Sequence, residues 1–158
     1  MSIDRLAQVL WEQSSLLDEL EFRLESLELV ARSGRHGRVG KACQEVATVQ
    51  AQIDETEKKR VEYSAQLAAS FGISPSSPLK TIIENSPEEW QESLEETRAD
   101  LTGKLVRIAH LTEGLKGVLS QRLEVVNTVL KVVAAPTGVY GADGQPAADR
   151  PTLLSEAV

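Results

Sequence analysis

The first helical pattern covers residues 3–31, where apolar positions alternate at spacings of three and four. Its seam comprises Leu6, Leu10, Leu17, Leu20, Leu24 and Leu27, with Gln13 at the place of a further apolar residue. This alternation keeps one stripe facing a partner helix, as in coiled coils and bundles. Trp11, Phe22 and Leu29 form a second stripe, roughly 150° around the helix from Leu6. Two stripes predict that this helix contacts more than one neighbour.

A second helical pattern extends from about Lys41 to Phe71. It follows a glycine-rich stretch, 33–40, which predicts the first turn because glycine is a poor helix former. Its seam comprises Val46, Val49, Ile53, Tyr63 and Leu67, with Thr56 and Arg60 at two further seam places. These polar places predict looser packing at the middle of the helix. The charged run at 55–60 is typical of a solvated face with local ion pairs.

A serine- and proline-rich linker at 74–78 separates the second helix from a third helical region. Ser77 precedes Pro78 and can cap a short helix over 79–85, with proline at its first position. Ser86 and Glu89 then form a capping box that predicts the start of a long helix. Its apolar period continues to Val133, a length of about 70 Å at 1.5 Å per residue. The glycines at 114 and 117 weaken the helix and favour a joint near residues 112–117.

Together these patterns predict an all-α fold, an elongated antiparallel bundle of three long helices with one short connecting helix. We assign residues 1–135 to this bundle domain. Pro136 ends the last helix, and clustered glycine and proline predict a flexible C-terminal tail over residues 136–158. Aromatic residues make up only 4 % of the chain, which favours thin helical packing over a deep core.

Charge narrows the possible partners and predicts one contact between helices. The formal net charge of −7 argues against a general nucleic-acid binder, because phosphate attraction supplies most non-specific affinity. Residues 1–31 hold seven acids and two bases, whereas residues 103–135 hold five bases and two acids. An acidic first helix beside a basic half of the last helix would be favourable, although each exposed pair contributes little.

Other features predict a cytoplasmic protein with no membrane insertion. No stretch approaches the roughly 20 apolar residues that span a bilayer. The N-terminus lacks the basic and then apolar order of a signal peptide. Cys43 is the single cysteine, which excludes an internal disulfide and is typical of a reducing compartment.

The sequence offers little support for an enzyme, a metal site or a cofactor site. His36 and His110 have no other ligand-type residue at metal-binding spacing. The glycine-rich stretch around Arg35 departs from a phosphate-binding loop at two required positions and follows a helix rather than a strand. Nothing near Cys43 would build a nucleophile site, so we expect it to be a small packing residue. We therefore predict no catalysis and no cofactor.

The most informative segment is 115–133, in which ten of the nineteen residues are Leu or Val. On a helix they cover an arc of about 180°, wider than the roughly 100° stripe of a surface helix. One interpretation is deeper burial between two helices of the same chain. The other is a face that binds the amphipathic helix of another protein. The candidate partner surface comprises Leu119, Arg122, Leu123, Val126, Val129, Leu130 and Val133.

Three stretches resemble the FlgN family of flagellar export chaperones. Glu57-Lys58-Lys59-Arg60, followed by Gln66-Leu67-Ala68-Ala69-Ser70-Phe71-Gly72-Ile73, is similar to the end of the family's second helix. Val118 to Asn127 is similar to its last-helix Leu-Leu-x-x-x-Leu-x-x-(Val/Leu)-Asn pattern. Tyr140-Gly141-Ala142-Asp143-Gly144 resembles a Tyr-x-x-x-Gly motif that follows that helix.

This resemblance implies a cytosolic chaperone without catalytic activity. Such proteins bind the C-terminal helices of hook–filament junction proteins of the FlgK and FlgL type, prevent their early assembly and deliver them to the type III export gate. The resemblance adds Tyr140 to the candidate partner-binding residues, as a contact to the client or to the gate. The alternative is a structural coiled-coil protein that self-associates through the same face. A homo-oligomer could also form in the absence of a client.

Overall fold

The computed structural model describes residues 2–119 of the chain, which form four helices. They are α1 (Ser2–Arg32), α2 (His36–Ser70), α3 (Leu79–Glu84) and α4 (Glu88–Leu119). No strand occurs within this range. The prediction of an all-α bundle with three long helices and one short connecting helix is confirmed. The predicted boundary between bundle and tail, 135/136, lies outside the described residues.

Helix α1 is the centre of the bundle, because α2 and α4 both pack against it more closely than against each other. Gln13 contacts Glu57 and Arg23 contacts Glu45, so α2 is antiparallel to α1. Three hydrogen bonds each join a residue of α1 to the residue of α4 that lies 86 positions later in the sequence. Because this offset is constant, the two helices are parallel. Helix α3 packs against α4 and α2. It lies between the end of α2 and the start of α4, at the end of the bundle where α1 begins.

The leucine seam of α1 is buried as predicted and forms the main core. Leu6, Leu10 and Leu27 are completely inaccessible to solvent. The seams of the other long helices join the same cluster, which is aliphatic throughout its fully buried part. Tyr63, Phe71 and Trp90 are only partly buried at its margins. The small aromatic content of the chain therefore reflects a core that is one layer of aliphatic side chains deep.

The second stripe of α1 does not serve a second neighbour among the described residues. Helix α1 does contact two helices, but it does so around its leucine seam and the positions that flank it. Trp11 is 78 %, Phe22 56 % and Leu29 69 % exposed. The prediction that α1 contacts more than one helix is therefore correct. Among the described residues, however, both contacts are made around the leucine seam and not by the second stripe.

Two predicted interruptions of the helices are corrected by the structure. The first turn comprises only Ser33, Gly34 and Arg35, and α2 begins at His36 instead of near residue 41. Only Gly34 in this turn requires glycine, since its φ is +76°. Helix α4 also continues through Gly114 and Gly117 without a joint. Tertiary packing along a long seam outweighs the roughly 1 kcal/mol cost of a helical glycine.

The two predicted serine caps are also corrected. Pro78, not Ser77, is the N-cap of α3, and the Ser77 hydroxyl donates to the carbonyl of Ser74 at 2.7 Å. The Ser86 hydroxyl donates to the Ile82 carbonyl at 2.7 Å, so it closes the end of α3. Gln91 adds a second bond to this junction, from its amide nitrogen to the Ser86 carbonyl at 2.8 Å. The Ser86 hydroxyl therefore satisfies a carbonyl that the end of α3 leaves unpaired, whereas Ser77 bonds within the linker between α2 and α3.

A buried polar layer interrupts the aliphatic core between α1 and α2. Arg60 and Glu57 form a two-point ion pair at 2.6 and 2.8 Å, with side chains only 4 % and 2 % exposed. The Gln13 amide donates to the same Glu57 carboxylate at 2.9 Å. The sequence interpretation of 55–60 as a solvated face is therefore wrong for Glu57 and Arg60, although Glu55 and Lys58 do form an exposed local pair. A buried charge is stable only with such partners.

A second polar cluster joins α1 to α4. The side chain of Lys104 is 9 % exposed. Its ammonium nitrogen lies 3.0 Å from the Asp18 carboxylate, 3.1 Å from that of Asp100 and 2.6 Å from the Ser14 hydroxyl. Ser14 in turn donates to Asp100 at 2.6 Å. Further along, Arg107 pairs with Glu21 at 3.3 Å. The predicted contact between the acidic first helix and the basic half of the last helix is confirmed.

The Lys104 cluster shifts the pKa values of its members. Hydrogen bonding from Ser14, with Lys104 nearby, lowers the pKa of the Asp100 carboxyl. Burial by itself would lower the pKa of Lys104, but its hydrogen bonds to Asp18 and Asp100 outweigh this and raise it. Both shifts favour the charged forms, so the cluster stabilises the fold at pH values between the pKa of Asp100 and that of Lys104. This stabilisation is lost as the pH falls through the folded-state pKa of Asp100 or rises through that of Lys104.

We expect Arg60→Met to lower the free energy of unfolding by about 3 kcal/mol, because it leaves Glu57 buried without its cation. The triple variant Gln13→Leu/Glu57→Met/Arg60→Met should recover most of this loss, since it replaces the whole layer by apolar side chains. Urea unfolding followed by circular dichroism measures both. The control is Lys58→Met, which breaks the exposed pair with Glu55 and should change stability very little. A loss equal to that of the control would contradict the burial of the pair.

We expect Asp100→Asn to reduce stability by less than about 1 kcal/mol near neutral pH, because Asp100 is half exposed and solvent screens its contacts. A carboxyl with a lowered folded-state pKa stabilises the protein above its unfolded value, about 3.9, and this contribution is lost as the pH falls through the folded value. The difference from wild type should therefore be present at about pH 6 and disappear in urea titrations once the pH falls below the lowered folded-state pKa of Asp100. Glu96→Gln, an exposed carboxylate on the same helix, serves as the control. A difference that persists unchanged in acid would indicate lost packing instead.

Candidate functional site

The predicted partner surface begins at the last residue of α4. Leu119 is the last residue of that helix that the structure describes. The other predicted partner-binding residues lie outside the described range: Arg122, Leu123, Val126, Val129, Leu130, Val133 and Tyr140. The structure therefore shows the part of α4 that precedes this surface, and the surface itself stays a prediction.

The register of α4 on α1 locates the start of this surface at one end of the bundle. Contacts between residues 86 positions apart continue from Ser14 to Glu21 along α1. Extending this register places Leu119 level with Ser33. That is the turn where α1 ends and α2 begins. The α1–α2 hairpin therefore reaches its closed end at the level where the described part of α4 stops.

The last described turns of α4 are held firmly against the hairpin. Leu115 is 1 % exposed and belongs to the same core as Leu27 and Ala31 near the end of α1. Leu111 and Val118 are partly buried against this cluster. The direction in which α4 reaches the end of the bundle is thus fixed by packing up to Val118.

An open groove lies beside these turns, between α1 and α4. Its wall on α1 consists of Glu21, Glu25 and Glu28, and its wall on α4 carries Arg107, His110, Leu111 and Gly114. The ion pair between Arg107 and Glu21 crosses it. Glu21 is paired with Arg107 and Glu28 with Arg32, so Glu25 is the surplus carboxylate of the groove. The open form of the groove is suited to contact with a macromolecule more than to enclosure of a small molecule.

Within the described residues, no group of three or more His, Cys, Asp or Glu is placed to hold a metal ion. Burial raises the pKa of the Cys43 thiol, so the sulfur is protonated at neutral pH and packs in the core, as predicted. His110 is exposed, as expected of a surface histidine. No helix in the same range is long and apolar enough to cross a membrane.

Sequence reasoning missed the roles of Glu57, Arg60 and Lys104 in positioning the helices. A signal was present for two of them. Arg60 occupies a seam place, and a buried arginine requires a carboxylate, which Glu57 supplies one turn earlier. Lys104 also lies at a seam spacing from Leu101 and Ile108, but its partners Ser14 and Asp18 are on another helix. A pattern within one helix could not identify them.

Comparison with known proteins identifies the family of the chain. No curated protein and no solved structure matches the chain. The model of one protein family, described as FlgN protein, matches residues 1–148, which is nearly the whole sequence. The earlier resemblance rested on two stretches of helix and a short motif after the last helix, whereas this match extends through all four described helices. The chain therefore belongs to the FlgN family, a family of flagellar export chaperones.

Proposed function

We propose that this FlgN-family chain is a cytoplasmic export chaperone for flagellar hook–filament junction proteins of the FlgK and FlgL type. It binds their C-terminal helices, prevents their premature assembly and delivers them to the type III export apparatus. The role is one of binding, in which no reaction is catalysed and no cofactor takes part. Family membership supports the chaperone role, and the choice of client rests on the resemblance described above.

The observation that carries this proposal is the level at which the hairpin ends. The apolar segment 115–133 begins inside the bundle at Leu115, which is buried. Its remaining Leu and Val positions follow Leu119, which is level with the α1–α2 turn. The apolar helical arc that the sequence predicts for these positions would be a suitable surface for the amphipathic helix of a client.

The charge of the carrier also suits this role. A client helix withheld from assembly exposes apolar surface, which promotes aggregation. A carrier with a net charge of −7 repels other copies of itself and keeps the complex dispersed. The proposed client surface comprises Leu119, Arg122, Leu123, Val126, Val129, Leu130 and Val133, within which Arg122 would pair with a client carboxylate or extend to solvent.

We expect the double variant Val126→Asp/Leu130→Asp to weaken client binding at least about a hundredfold, because binding would bury two charges against apolar side chains. Isothermal titration with the purified C-terminal segments of FlgK and FlgL from the same organism measures this change. The matched control is Ser120→Asp/Asn127→Asp, which adds the same two charges on the polar face predicted for the helix. The control should bind as the wild type does.

Three outcomes would contradict the proposal. If the double variant loses helicity in circular dichroism, Val126 and Leu130 belong to the protein's own core. If it binds clients as tightly as the control variant does, the client surface lies elsewhere. If the wild type sediments as a fixed homo-oligomer at all dilutions and binds neither segment, the self-associating structural protein is the better description.

We also propose that Tyr140 contacts the client or the export gate, since an aromatic residue in a segment that the sequence predicts to be a flexible tail would be a suitable anchor. Tyr140→Ala should weaken one of these interactions about tenfold or more and reduce motility. Tyr140→Phe, which keeps the ring, should retain most of the affinity if the ring supplies the contact. Unchanged binding to both partners and unchanged motility in Tyr140→Ala would contradict this role.

A further inference from the structure

The outer face of α1 carries a line of large apolar side chains that no described residue covers. We name Trp11, Phe22 and Leu29 the outer stripe, and they are 78 %, 56 % and 69 % exposed. At about 100° per residue the three directions fall within roughly 20° of one another. The stripe extends about 27 Å along the helix, at 1.5 Å per residue. One partner helix could contact all three side chains.

The composition of the chain makes this placement unusual. The protein has only six aromatic residues, and none of the five that lie in the described range is fully buried. Two of the six lie on the outer stripe. Single exposed apolar residues are ordinary on protein surfaces. A line of three on one helix, containing tryptophan, has instead the composition of a binding hot spot.

Acidic side chains border the outer stripe on both sides. Glu12 and Glu19 lie along one border and Asp18 and Glu25 along the other, at their positions around the helix. Asp18 is paired with Lys104 and Glu19 with Arg23, so the exposed Glu12 and Glu25 are the border acids that a partner would meet. Arg23 is the basic residue nearest to Phe22, with its guanidinium 5.6 Å from the ring centre, and it is paired with Glu19 and Glu45.

This border determines the charge of the occupant. A second copy of the chain would bring the same acids against these acids, and like charges in register oppose pairing. A helix with an apolar stripe and lysine or arginine on both flanks would match apolar to apolar and base to acid. We propose that the outer stripe of α1 is a docking surface for a basic amphipathic helix of another protein. It is distinct from the client surface after Leu119 and does not depend on it.

The test uses the full chain and a designed peptide as the probe. In a Trp90→Phe background Trp11 is the only tryptophan. The probe is a helical peptide of about 21 residues, six turns, with leucines on one face and lysines on both flanks. A second peptide carries glutamates in place of the lysines. We expect the lysine peptide alone to shift the Trp11 emission to shorter wavelength as the ring becomes covered.

Fluorescence anisotropy of the labelled lysine peptide then gives the affinity. It should fall by about tenfold or more in Phe22→Ser/Leu29→Ser, and also when the salt is raised from about 50 to 500 mM. The control is Val61→Ser/Val106→Ser, which alters two exposed valines on α2 and α4, 47 % and 56 % exposed. This control should bind the peptide as the unaltered background does.

Other results would overturn the proposal. Equal binding of the lysine and glutamate peptides would show that the charge of the partner does not matter. Equal affinities of the two serine variants would show that the outer stripe is not the binding surface. Binding that leaves the Trp11 emission unchanged, and is lost in Val126→Asp/Leu130→Asp, would place the peptide on the client surface. A dimer in sedimentation that Phe22→Ser/Leu29→Ser dissociates would show that the occupant is a second copy of the chain.

Discussion

The fold depends on one constraint, which is that α1 must supply apolar contacts to two long helices from a single leucine seam. The strict alternation of three and four residues keeps that seam straight along the helix. Leu6, Leu10 and Leu27 are fully buried at its two ends, and Leu17 and Leu24 are nearly so. With α2 and α4 both against α1, each outer helix needs only a narrow apolar stripe. The core is consequently thin, aliphatic and long.

A uniform aliphatic seam leaves the sliding of one helix along another poorly determined, and polar contacts fix the alignment. The Gln13–Glu57–Arg60 layer sets α2 against α1, and the Lys104 cluster sets α4 against α1. A shift of either helix by one heptad would keep leucine against leucine but would leave buried charged side chains without their partners. Such contacts contribute modestly to stability compared with apolar packing, and their main effect is on specificity of alignment.

This alignment has a functional consequence. By fixing the register of α4 along α1, the Lys104 cluster brings the last described residue of α4 level with the α1–α2 turn. The apolar residues proposed to bind clients therefore follow the closed end of the hairpin. The acidic outer face of α1 lies along the side of the same bundle. The two proposed surfaces, one that follows Leu119 in the sequence and one on the outer face of α1, would allow the protein to hold two partners without competition between them.

Periodicity within single helices, which is a local property, was sufficient to predict the all-α fold, the three long helices and the short one, and the burial of the α1 seam. Short motifs in the sequence also indicated the FlgN family.

Which polar residues are buried and which apolar residues are exposed depends on contacts between helices, and these are visible only in the three-dimensional structure. Glu57 and Arg60 belong to a charged run that is typical of a surface, and only the approach of Gln13 on α1 makes that face an interior. Trp11 and Phe22 are typical of a core, yet no described helix packs on their side. Burial depends on what lies across from a side chain. That neighbour is distant in sequence, as Lys104 is from Ser14, so no local pattern contains it.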